Sequence, residues 1–233
     1  MLYTLESVRA NIRNREGKRV FYLGEGDRLT AAAREYLTGE QIGILPASQA
    51  KPDSYVLLSG GSIREKPEHM THLNGNVLVP KTHPRIAFRG AMDTLEAELL
   101  LCQLPADRKL RQELGELLEF ARSLLRWDVL EEPVQEGLLC GLTEKQLREQ
   151  SHRPQDFYGQ PHFMPAVTDG PCILQLNRAR CVAREAELQA VHAFTDREGN
   201  PLREDILRAL NRLSSMLYIL MIREKAKMGT EVR

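Results

Sequence analysis

Two arginines and a glutamate recur at helical spacing in the second half of the sequence. Arg180, Arg184 and Glu187 stand at positions i, i+4 and i+7, with Asn177 one turn earlier, so they share one face of a helix. Ion pairing along that face would contribute only about 0.3–0.5 kcal/mol per pair. Two guanidinium groups on neighbouring turns can instead hold phosphate oxygens in fork geometry. The stripe is either a solvated helix face or an anion clamp.

A second polar stripe interrupts an apolar helix near the C-terminus. Asn211, Arg212 and Ser215 lie beside a seam of leucines that recur at three-and-four spacing. An amide both donates and accepts hydrogen bonds, and the small serines at 214 and 215 leave room for a ligand to approach. Periodicity favours a solvated face and a binding site equally, and Arg212 fits either one.

A third polar cluster lies in the segment KTHPRIAFRGAMDTLEAEL. A basic stretch here approaches a helix whose first turn we place at Asp93 and Glu96, where carboxylates favour the helix dipole. The basic members are Lys81, His83, Arg85 and Arg89. Spacing leaves two roles open for Asp93, which either stabilises the helix N-terminus or pairs with an arginine on another helix.

The elements that position these clusters differ between two parts of the chain. Residues 19–46 predict a small β-α-β unit whose helix Asp27 or Thr30 could cap. Residues 46–67 are punctuated by proline and glycine and predict a linker or irregular arm. We assign residues 1–60 to a small α/β N-terminal extension with its linker, and residues 61–233 to a helical domain.

Helical periodicity dominates from about residue 90 onward. It predicts a mainly α fold, an antiparallel bundle of four to five helices that builds its sites from side chains on facing helices. The first helix buries Met92, Leu95, Leu99 and Cys102, and the second, capped by Asp107, buries Leu110, Leu114, Leu117, Ala121, Leu124 and Leu125. A short helix follows over 143–151 from Thr143, then a long one over about 173–195 and the last over about 204–226.

Composition narrows the possible partners. Lysine plus arginine and aspartate plus glutamate both total 32, so the net charge is zero and the basic field typical of a nucleic-acid-binding protein is missing. No stretch approaches the roughly 18 apolar residues of a membrane span, and the N-terminus has no apolar signal region. We therefore expect a cytoplasmic protein. The four cysteines form no CxxC pair, so we expect reduced and mostly buried thiols.

The three polar segments together resemble motifs of the corrinoid adenosyltransferases of the PduO-like and ethanolamine-utilisation (EutT) families. KTHPRIAFRGAMDTLEAEL is similar to the family's basic loop and Gly-x-x-Asp-x-Leu helix start, ARCVAREAEL to its Arg-x-x-x-Arg-x-x-Glu helix, and LNRLSSMLYIL to its Asn-Arg-Leu-Ser helix. The resemblance covers about residues 66–225. Residues 1–60 and the segment SHRPQDFYGQPHFMPAV resemble the EutT type in particular. The implied fold is that of the PduO-like cobalamin adenosyltransferases.

The resemblance implies that the 5′-deoxyadenosyl group of ATP is transferred to the cobalt of cob(I)alamin, giving adenosylcobalamin and inorganic tri- or polyphosphate. Asp93, Arg180 and Asn211 are the implied catalytic residues: the first would pair with the second, and the third would bind the nucleotide. Mg²⁺ would share the charge of the leaving phosphates. The implied ATP-binding residues are Thr71, Asn74, Gly75, Lys81, Arg180, Arg184, Glu187 and Asn211.

The family also places an aromatic side chain below the corrin plane, where it expels the lower axial ligand. Phe163 is the candidate for this role, although alignment on Pro165 puts His162 there, and a packing role for Phe163 stays open. The implied partners are ATP, cob(II)alamin or cob(I)alamin, a flavoprotein reductase and further copies of the chain. The copies would form a trimer, as in PduO-like relatives, or a dimer, with possible association with an ethanolamine-utilisation microcompartment.

Other functions compete with this interpretation. A ferritin-like metal site needs two Glu-x-x-His pairs, and only Glu149 and His152 match that pattern. His69, His72 and His83 could meet at a metal, but surface or phosphate-facing histidines are commoner, so we assign no metal site. A non-catalytic corrinoid carrier, or a binding protein of a microcompartment, remains the alternative. The implied catalytic set favours an enzyme, because carriage alone needs no clamp on a leaving group.

Overall fold

The structure is a computed structural model that describes residues 1–15, 17–47 and 54–231. The chain divides into two compact units, each with its own hydrophobic core. The first unit comprises Met1–His83 and Val129–Glu131, and the second comprises Pro84–Asp128 and Glu132–Arg233. In the described part of the chain, the strands all belong to the first unit and the long helices to the second.

The first unit begins with a small α/β arrangement. Its elements are β1 (Leu2–Tyr3), α1 (Leu5–Ala10), β2 (Arg13–Arg15), β3 (Lys18–Leu23), β4 (Arg28–Leu29), α2 (Ala31–Gly39) and β5 (Gly43–Pro46). Strand β3 pairs in parallel with β5 and antiparallel with β2, while β1 pairs with β4. The Thr30 hydroxyl caps α2 by accepting from the backbone N–H of Ala33 at 3.3 Å. The β-α-β unit predicted over residues 19–46 is therefore confirmed.

A four-stranded sheet follows, where we predicted part of a linker. It contains β6 (Tyr55–Leu57), β7 (Ser62–Ile63), β8 (Met70–Asn74) and β9 (Val77–Pro80), in the order β7-β6-β9-β8. Residues 48–53, also in the predicted linker, lie outside the described residues. The prediction of an irregular arm is wrong for β6 and β7. Both strands are too short to show periodicity in the sequence, and β6 is stabilised by pairing with β7 and with the distant β9. The two compact units divide after this sheet, between His83 and Pro84.

The second unit is built from helices. They are α3 (Pro84–Cys102), α4 (Arg108–Val129), α5 (Glu144–His152), α6 (Pro154–Tyr158), α7 (Gly170–Ala193) and α8 (Glu204–Glu231). The five predicted helices correspond to α3, α4, α5, α7 and α8, and α6 was not predicted. Asp107 accepts from the N–H of Leu110 at 2.8 Å, and Thr143 begins α5 in a reciprocal capping box with Gln146. Both predicted caps are confirmed.

The core of the second unit lies where α3 packs on α7 and α7 packs on α8, with α5 and α6 against α8. Helix α7 contributes small buried residues at three-and-four spacing, which let the neighbouring helices approach closely. They are Ala179, Ala183, Ala186 and Ala190. The leucine seam of α8 is fully buried, as its periodicity predicts. Within the described residues, no helix is long and apolar enough to cross a membrane.

Helix α3 begins about two turns earlier than predicted, at Pro84. Proline suits the first turn of a helix because its ring presets φ and its missing N–H needs no partner there. Arg85 and Arg89 therefore lie inside the helix rather than in a basic loop, and Asp93 is not in the first turn. Both arginines bind the fully buried carboxylate of Asp128 on α4, with Arg85 Nη2 and Arg89 Nε each 2.8 Å from an oxygen. They hold α3 to α4 and are not free to bind a ligand.

Candidate functional site

A groove of about 490 Å³ lies between α7 and α8, bordered by the end of α5. The predicted polar stripes of both long helices line it. Helix α7 contributes Arg180, Arg184 and Glu187, and α8 contributes Asn211, Arg212, Ser214, Ser215 and Tyr218. Two stripes that spacing alone left undecided are thus brought together, and neither is merely a solvated helix face.

The Asn211 side chain is held in one orientation inside the groove. Its Nδ2 donates to Glu187 Oε1 at 3.1 Å, and its Oδ1 accepts from Arg212 Nη2 at 2.5 Å. A carboxylate only accepts and a guanidinium only donates, so the amide cannot be reversed without losing both bonds. Each end of the amide retains capacity for one more hydrogen bond. Asn211 can therefore offer a donor and an acceptor, in fixed positions, to a molecule in the groove.

The serines beside Asn211 satisfy their own hydrogen bonds within the helix. The hydroxyls of Ser214 and Ser215 donate to the Asn211 carbonyl oxygen at 3.0 and 2.9 Å. They place no bulky side chain against the groove, as the sequence suggested. Arg212 is less than one-fifth exposed and orients Asn211, so it is not a plain surface charge.

Arg180 and Arg184 provide the positive charge of the groove. Arg180 donates to Asn177 Oδ1 from Nη2 at 3.1 Å, and its guanidinium carbon lies 5.9 Å from the centre of the Tyr218 ring. Among the described residues, neither arginine forms an ion pair with a carboxylate. Two guanidinium groups on one helix face, neither of them ion-paired in the part of the chain that the structure describes, are suited to a phosphate chain.

Tyr218 connects this groove to the loop that carries both corrin-facing candidates. Its hydroxyl lies 2.6 Å from His162 Nδ1, and the two rings stack with centroids 5.7 Å apart. Partial burial raises the pKa of Tyr218, although the charge of Arg180 opposes the shift. Phe163 packs instead against the hydrophobic core, with its ring 5.7 Å from Lys225 Nζ. His162 is thus the member of the pair that contacts a groove-lining residue, Tyr218.

The predicted ion pair between Asp93 and Arg180 is not formed within this chain. Asp93 is exposed on α3, and Arg180 bonds to Asn177. The ion pair that joins α3 to α7 is a different one, between Glu98 Oε1 and Arg178 Nε at 2.8 Å. The packing of α3 against α7 explains the difference, because it buries Glu98 and leaves Asp93 exposed.

The predicted nucleotide-loop residues belong to the first unit and lie on or beside the β8–β9 hairpin. Gly75 has a φ of +50°, and a Cβ at this position would lie 3.2 Å from the Ile12 carbonyl oxygen, so a side chain is disfavoured. Asn74 Nδ2 donates to Glu131 Oε1 at 3.3 Å, and Lys81 Nζ donates to Glu68 Oε1 at 2.9 Å. Thr71 is half-buried in β8.

Asn74 and Gly75 line a second cavity, of about 370 Å³, within the first unit. Three arginines also line it, at positions 9, 13 and 19. Thr71 and Lys81 are not among its lining residues. The hairpin therefore presents two of the four loop residues to a basic cavity, which suits a ligand with phosphate groups.

The histidines and cysteines do not form a metal site within the described residues, where no group of three or more potential ligands lies together. His69, His72 and His83 are thus not gathered there. All four thiols are free: Cys102 is buried, Cys140 and Cys172 are half-buried, and Cys181 is exposed. Burial raises the pKa of both Cys102 and Cys140 to about 12, with Glu98 and Glu116 adding to the respective effects, so these thiols stay protonated at neutral pH.

Sequence analysis missed two residues, one that lines the groove and one that binds the arginines of α3. Tyr218 lies four residues after Ser214 and seven after Asn211, so helical spacing could have placed it on the groove face. Asp128 follows a buried tryptophan at the end of α4, and no spacing rule indicates that this carboxylate is the partner of Arg85 and Arg89.

The chain is similar in sequence to proteins of one family. The sequence pattern of the cobalamin adenosyltransferase family matches residues 62–224. The corrinoid adenosyltransferase EutT of Salmonella typhimurium is 30% identical over 94% of this chain and 91% of its own length. EutT of Escherichia coli K12 is 29% identical over 97% of this chain and 93% of its own length.

Solved structures share the fold. A variant of the PduO-type ATP:corrinoid adenosyltransferase from Lactobacillus reuteri, complexed with cobalamin and ATP, superposes with a TM-score of 0.50. It is 20% identical, and the match covers 70% of this chain and 91% of that chain. A second variant, complexed with ATP, also gives a TM-score of 0.50, at 19% identity. The matched residues 62–224 include the groove of α7 and α8, and the chain therefore belongs to the cobalamin adenosyltransferase family.

Proposed function

We propose that this protein transfers the 5′-deoxyadenosyl group of ATP to the cobalt of cob(I)alamin and so forms adenosylcobalamin for ethanolamine utilisation. The observation that carries this proposal is the groove, in which two arginines lie beside a firmly oriented amide, and neither arginine pairs with a carboxylate among the residues that the structure describes. The family and the EutT relatives supply the identity of the reaction. The cobalt(I) electron pair attacks the ribose C5′ and forms the cobalt–carbon bond, while the C5′–O bond breaks and its bonding pair leaves with the phosphate chain.

Four groove residues have roles in this displacement. Arg180 and Arg184 stabilise the negative charge that develops on the leaving phosphates, and the bond from Arg180 to Asn177 already holds one of the two guanidinium groups in place. Asn211 binds the nucleotide, and Glu187 orients Asn211 rather than an arginine. A protein that only carries a corrinoid needs no clamp on a leaving group. The two guanidinium groups of the groove therefore favour catalysis.

Mg²⁺ fits the groove as a companion of ATP rather than as a tightly held protein metal. Glu187 is the carboxylate that lines the groove, and one of its oxygens is engaged by Asn211. Because Mg²⁺ prefers six oxygen ligands, the phosphates and water must supply most of them. When bound, the ion would neutralise phosphate charge.

The direct test of this function is an assay with purified protein, ATP, Mg²⁺, hydroxocobalamin and a strong chemical reductant. We expect a cobalt–carbon bond, seen as a change in the visible spectrum that light reverses. Corrinoid binding without this product would contradict the enzyme and support a non-catalytic corrinoid carrier or microcompartment-associated binding protein. A protein that only carries a corrinoid would not give this light-reversible spectral change when ATP is added.

Asp93 fits this reaction if a second copy of the chain supplies it. The residue is exposed on α3 and has no partner within its own chain among the described residues, while Arg180 lacks a carboxylate. A homo-oligomer, either a dimer or a trimer, would pair the two residues across copies. In this arrangement Asp93 stays a catalytic residue, and its ion pair with Arg180 forms only between two copies of the chain.

Mixing two inactive variants tests the shared site. Asp93→Ala and Arg180→Ala are each expected to have little activity, and an equal mixture after subunit exchange should recover about a quarter of wild-type activity, because about a quarter of the sites combine two intact halves. The matched control is a mixture of Arg180→Ala with Asn211→Ala, whose residues line the same groove of one chain and should not complement. Mixed oligomers, verified by mass spectrometry, that show no recovery in the first mixture would contradict the shared site.

The contact between His162 and Tyr218 favours His162 over Phe163 as the residue below the corrin. We expect His162→Ala to retain activity when cob(I)alamin is generated chemically. Its activity should fall by about 10-fold or more when a flavoprotein must reduce bound cob(II)alamin, because one contact that favours the reduction is lost. Phe163→Ala is the matched control and should affect both assays through stability alone. Equal losses for His162→Ala in the two assays would contradict this role.

The remaining parts of the proposal concern the rest of the chain. The helices of the second unit would form the antiparallel bundle of four to five helices, and residues 61–233 would form the adenosyltransferase domain that residues 1–60 extend. Thr71, Asn74, Gly75 and Lys81 would contact ATP. A flavoprotein reductase would supply electrons in the cytoplasm, with possible placement in an ethanolamine-utilisation microcompartment.

A further inference from the structure

The basic cavity of the first unit, of about 370 Å³, shares no lining residue with the α7–α8 groove. Its volume falls within the range of about 300–1,000 Å³ that is typical of small-molecule sites. Three arginines line it from three different elements: Arg9 on α1, Arg13 on β2 and Arg19 on β3. All three precede residue 62, where the match to the family pattern begins, so the motifs assigned to the reaction leave them without a role.

Arg13 brings a positive charge into the cavity wall without a carboxylate to oppose it. Its Nη1 donates to the Ile12 carbonyl oxygen at 3.2 Å, and among the described residues no acidic side chain pairs with the guanidinium. The side chain is half-buried, and this burial lowers the pKa of Arg13. A partly buried cation is costly unless an opposite charge compensates it. An anion in the cavity would supply that charge and would accept from the remaining guanidinium N–H groups.

The other two arginines are held at the cavity by neighbouring side chains. The guanidinium carbon of Arg9 lies 5.3 Å from the centre of the Tyr36 ring, a cation–π contact that orients the side chain. Arg19 Nη2 donates to Glu40 Oε2 at 2.9 Å, but both side chains are about half exposed, so this pair is weak. Both arginines can therefore turn N–H groups toward a bound anion at little cost.

The charges that line the cavity do not balance. Glu131 is the carboxylate among its described lining residues, and its Oε1 accepts from Asn74 Nδ2 at 3.3 Å. Three guanidinium groups outnumber this single carboxylate. Because a guanidinium group only donates hydrogen bonds, the cavity is also richer in donors than in acceptors. Both imbalances favour a ligand that carries several negatively charged oxygens.

The walls of the cavity are joined before any ligand binds. Asn76 is buried, and its Oδ1 accepts from the Asn14 N–H at 3.3 Å while its Nδ2 donates to the Asn14 carbonyl oxygen at 2.5 Å. This reciprocal pair fixes β2, which bears Arg13, against the β8–β9 hairpin, which bears Asn74 and Gly75. A ligand would therefore meet a preformed site rather than have to assemble one.

We propose that this cavity is a second anion site of the protein and that it binds a chain of phosphate groups. Phosphate oxygens surround a tetrahedral phosphorus, so a phosphate chain can bond to arginines on three elements at once, whereas a carboxylate presents two oxygens in one plane. The chain is the phosphate tail of a nucleotide or a free inorganic oligophosphate. The inference goes beyond the proposed function, because the reacting phosphates belong to the groove. If the tail belongs to a nucleotide, the proposed contacts of Asn74 and Gly75 with ATP are made here.

Isothermal titration calorimetry of the full-length protein with sodium tripolyphosphate tests the site. The double substitution Arg180→Ala with Arg184→Ala removes the cations of the groove, and we expect this groove variant still to bind about one tripolyphosphate per chain. Adding Arg13→Gln should weaken the remaining binding by about 10-fold or more, as expected for one lost charge-assisted contact. No saturable binding in the groove variant, or an affinity that Arg13→Gln leaves unchanged, would overturn the proposal.

Two further substitutions in the groove variant guard against effects on folding. Arg34→Gln is the matched control, because Arg34 is exposed on α2 and does not line the cavity, so the affinity should not change. Arg19→Gln removes only a surface ion pair and should leave the fold intact while it weakens tripolyphosphate binding by about two- to fivefold. Thermal unfolding of each variant verifies the fold. A loss of binding in Arg34→Gln equal to that in Arg13→Gln would contradict the site.

Other ligands of the groove variant identify the source of the phosphates. ATP that binds at least as tightly as tripolyphosphate assigns the cavity to a nucleotide tail, and weaker ATP binding assigns it to free oligophosphate. Citrate, which carries several carboxylates, should bind at least 10-fold more weakly than tripolyphosphate, about the effect of one lost charge-assisted contact; equal affinity would overturn the assignment to phosphate. Failure of adenosyl transfer in the wild type with this binding intact would instead overturn the proposed function and leave the site.

Discussion

Replacing Arg180 by alanine is expected to lower kcat by about 100-fold or more, corresponding to a transition-state contact of about 3 kcal/mol. Arg180 lies in the groove without a carboxylate partner, so its charge is available to the leaving phosphates. Asn211→Ala should have a similar effect, because the substitution removes the oriented amide that Glu187 and Arg212 hold. Both are measured by the rate of cobalt–carbon bond formation under saturating ATP.

Two further variants sharpen this test. Arg180→Lys keeps the charge but loses the fork geometry, so we expect activity between that of wild type and Arg180→Ala. Arg148→Ala is the matched control, since Arg148 is exposed on α5 and does not line the groove. Rates close to wild type in both Arg180→Ala and Asn211→Ala would contradict the proposed site.

Replacing Asp128 by alanine is expected to cost about 3–5 kcal/mol of folding free energy, the usual result of removing one partner from a buried ion cluster. Asp128 is fully buried, and the substitution would leave Arg85 and Arg89 without their shared carboxylate. For a chain of this size the change corresponds to a fall in Tm of about 6–20 °C. Thermal and urea unfolding measure it.

The matched control for this prediction is Glu119→Ala on the same helix. Glu119 pairs with Arg122 at the surface, with 70% of its side chain exposed, so its removal should cost about 0.5 kcal/mol or less. An Asp128→Ala protein as stable as Glu119→Ala would show that the cluster does not hold α3 to α4.

Periodicity alone predicted much of the helical unit. The leucines of α4 and α8 recur at three-and-four spacing, and the structure buries them. Capping residues were equally informative, since Thr30, Asp107 and Thr143 each bond to a backbone N–H at the predicted helix start. These are local signals, because the helix hydrogen bonds and the residues that cap them lie within a few positions of one another.

Contacts between distant segments were harder to predict. Strand β6 has three residues and acquires its partner β9 about twenty positions later, so no local pattern indicated it. The role of Arg85 and Arg89 depended on Asp128, about forty positions away. Asp93 and Glu98 lie on one helix, and the register of α3 against α7 decided which of them meets an arginine of α7.

By itself, the sequence determined the helical character of the chain from about residue 90 onward, the order of the polar motifs and membership of the cobalamin adenosyltransferase family. Tertiary structure alone decided that Arg180, Glu187 and Asn211 share one groove, that Arg85 and Arg89 are structural, and that three arginines of the first unit line a separate cavity. The physical reason is that helix formation depends on neighbours along the chain, whereas the partner of a buried charge or donor depends on how the helices pack.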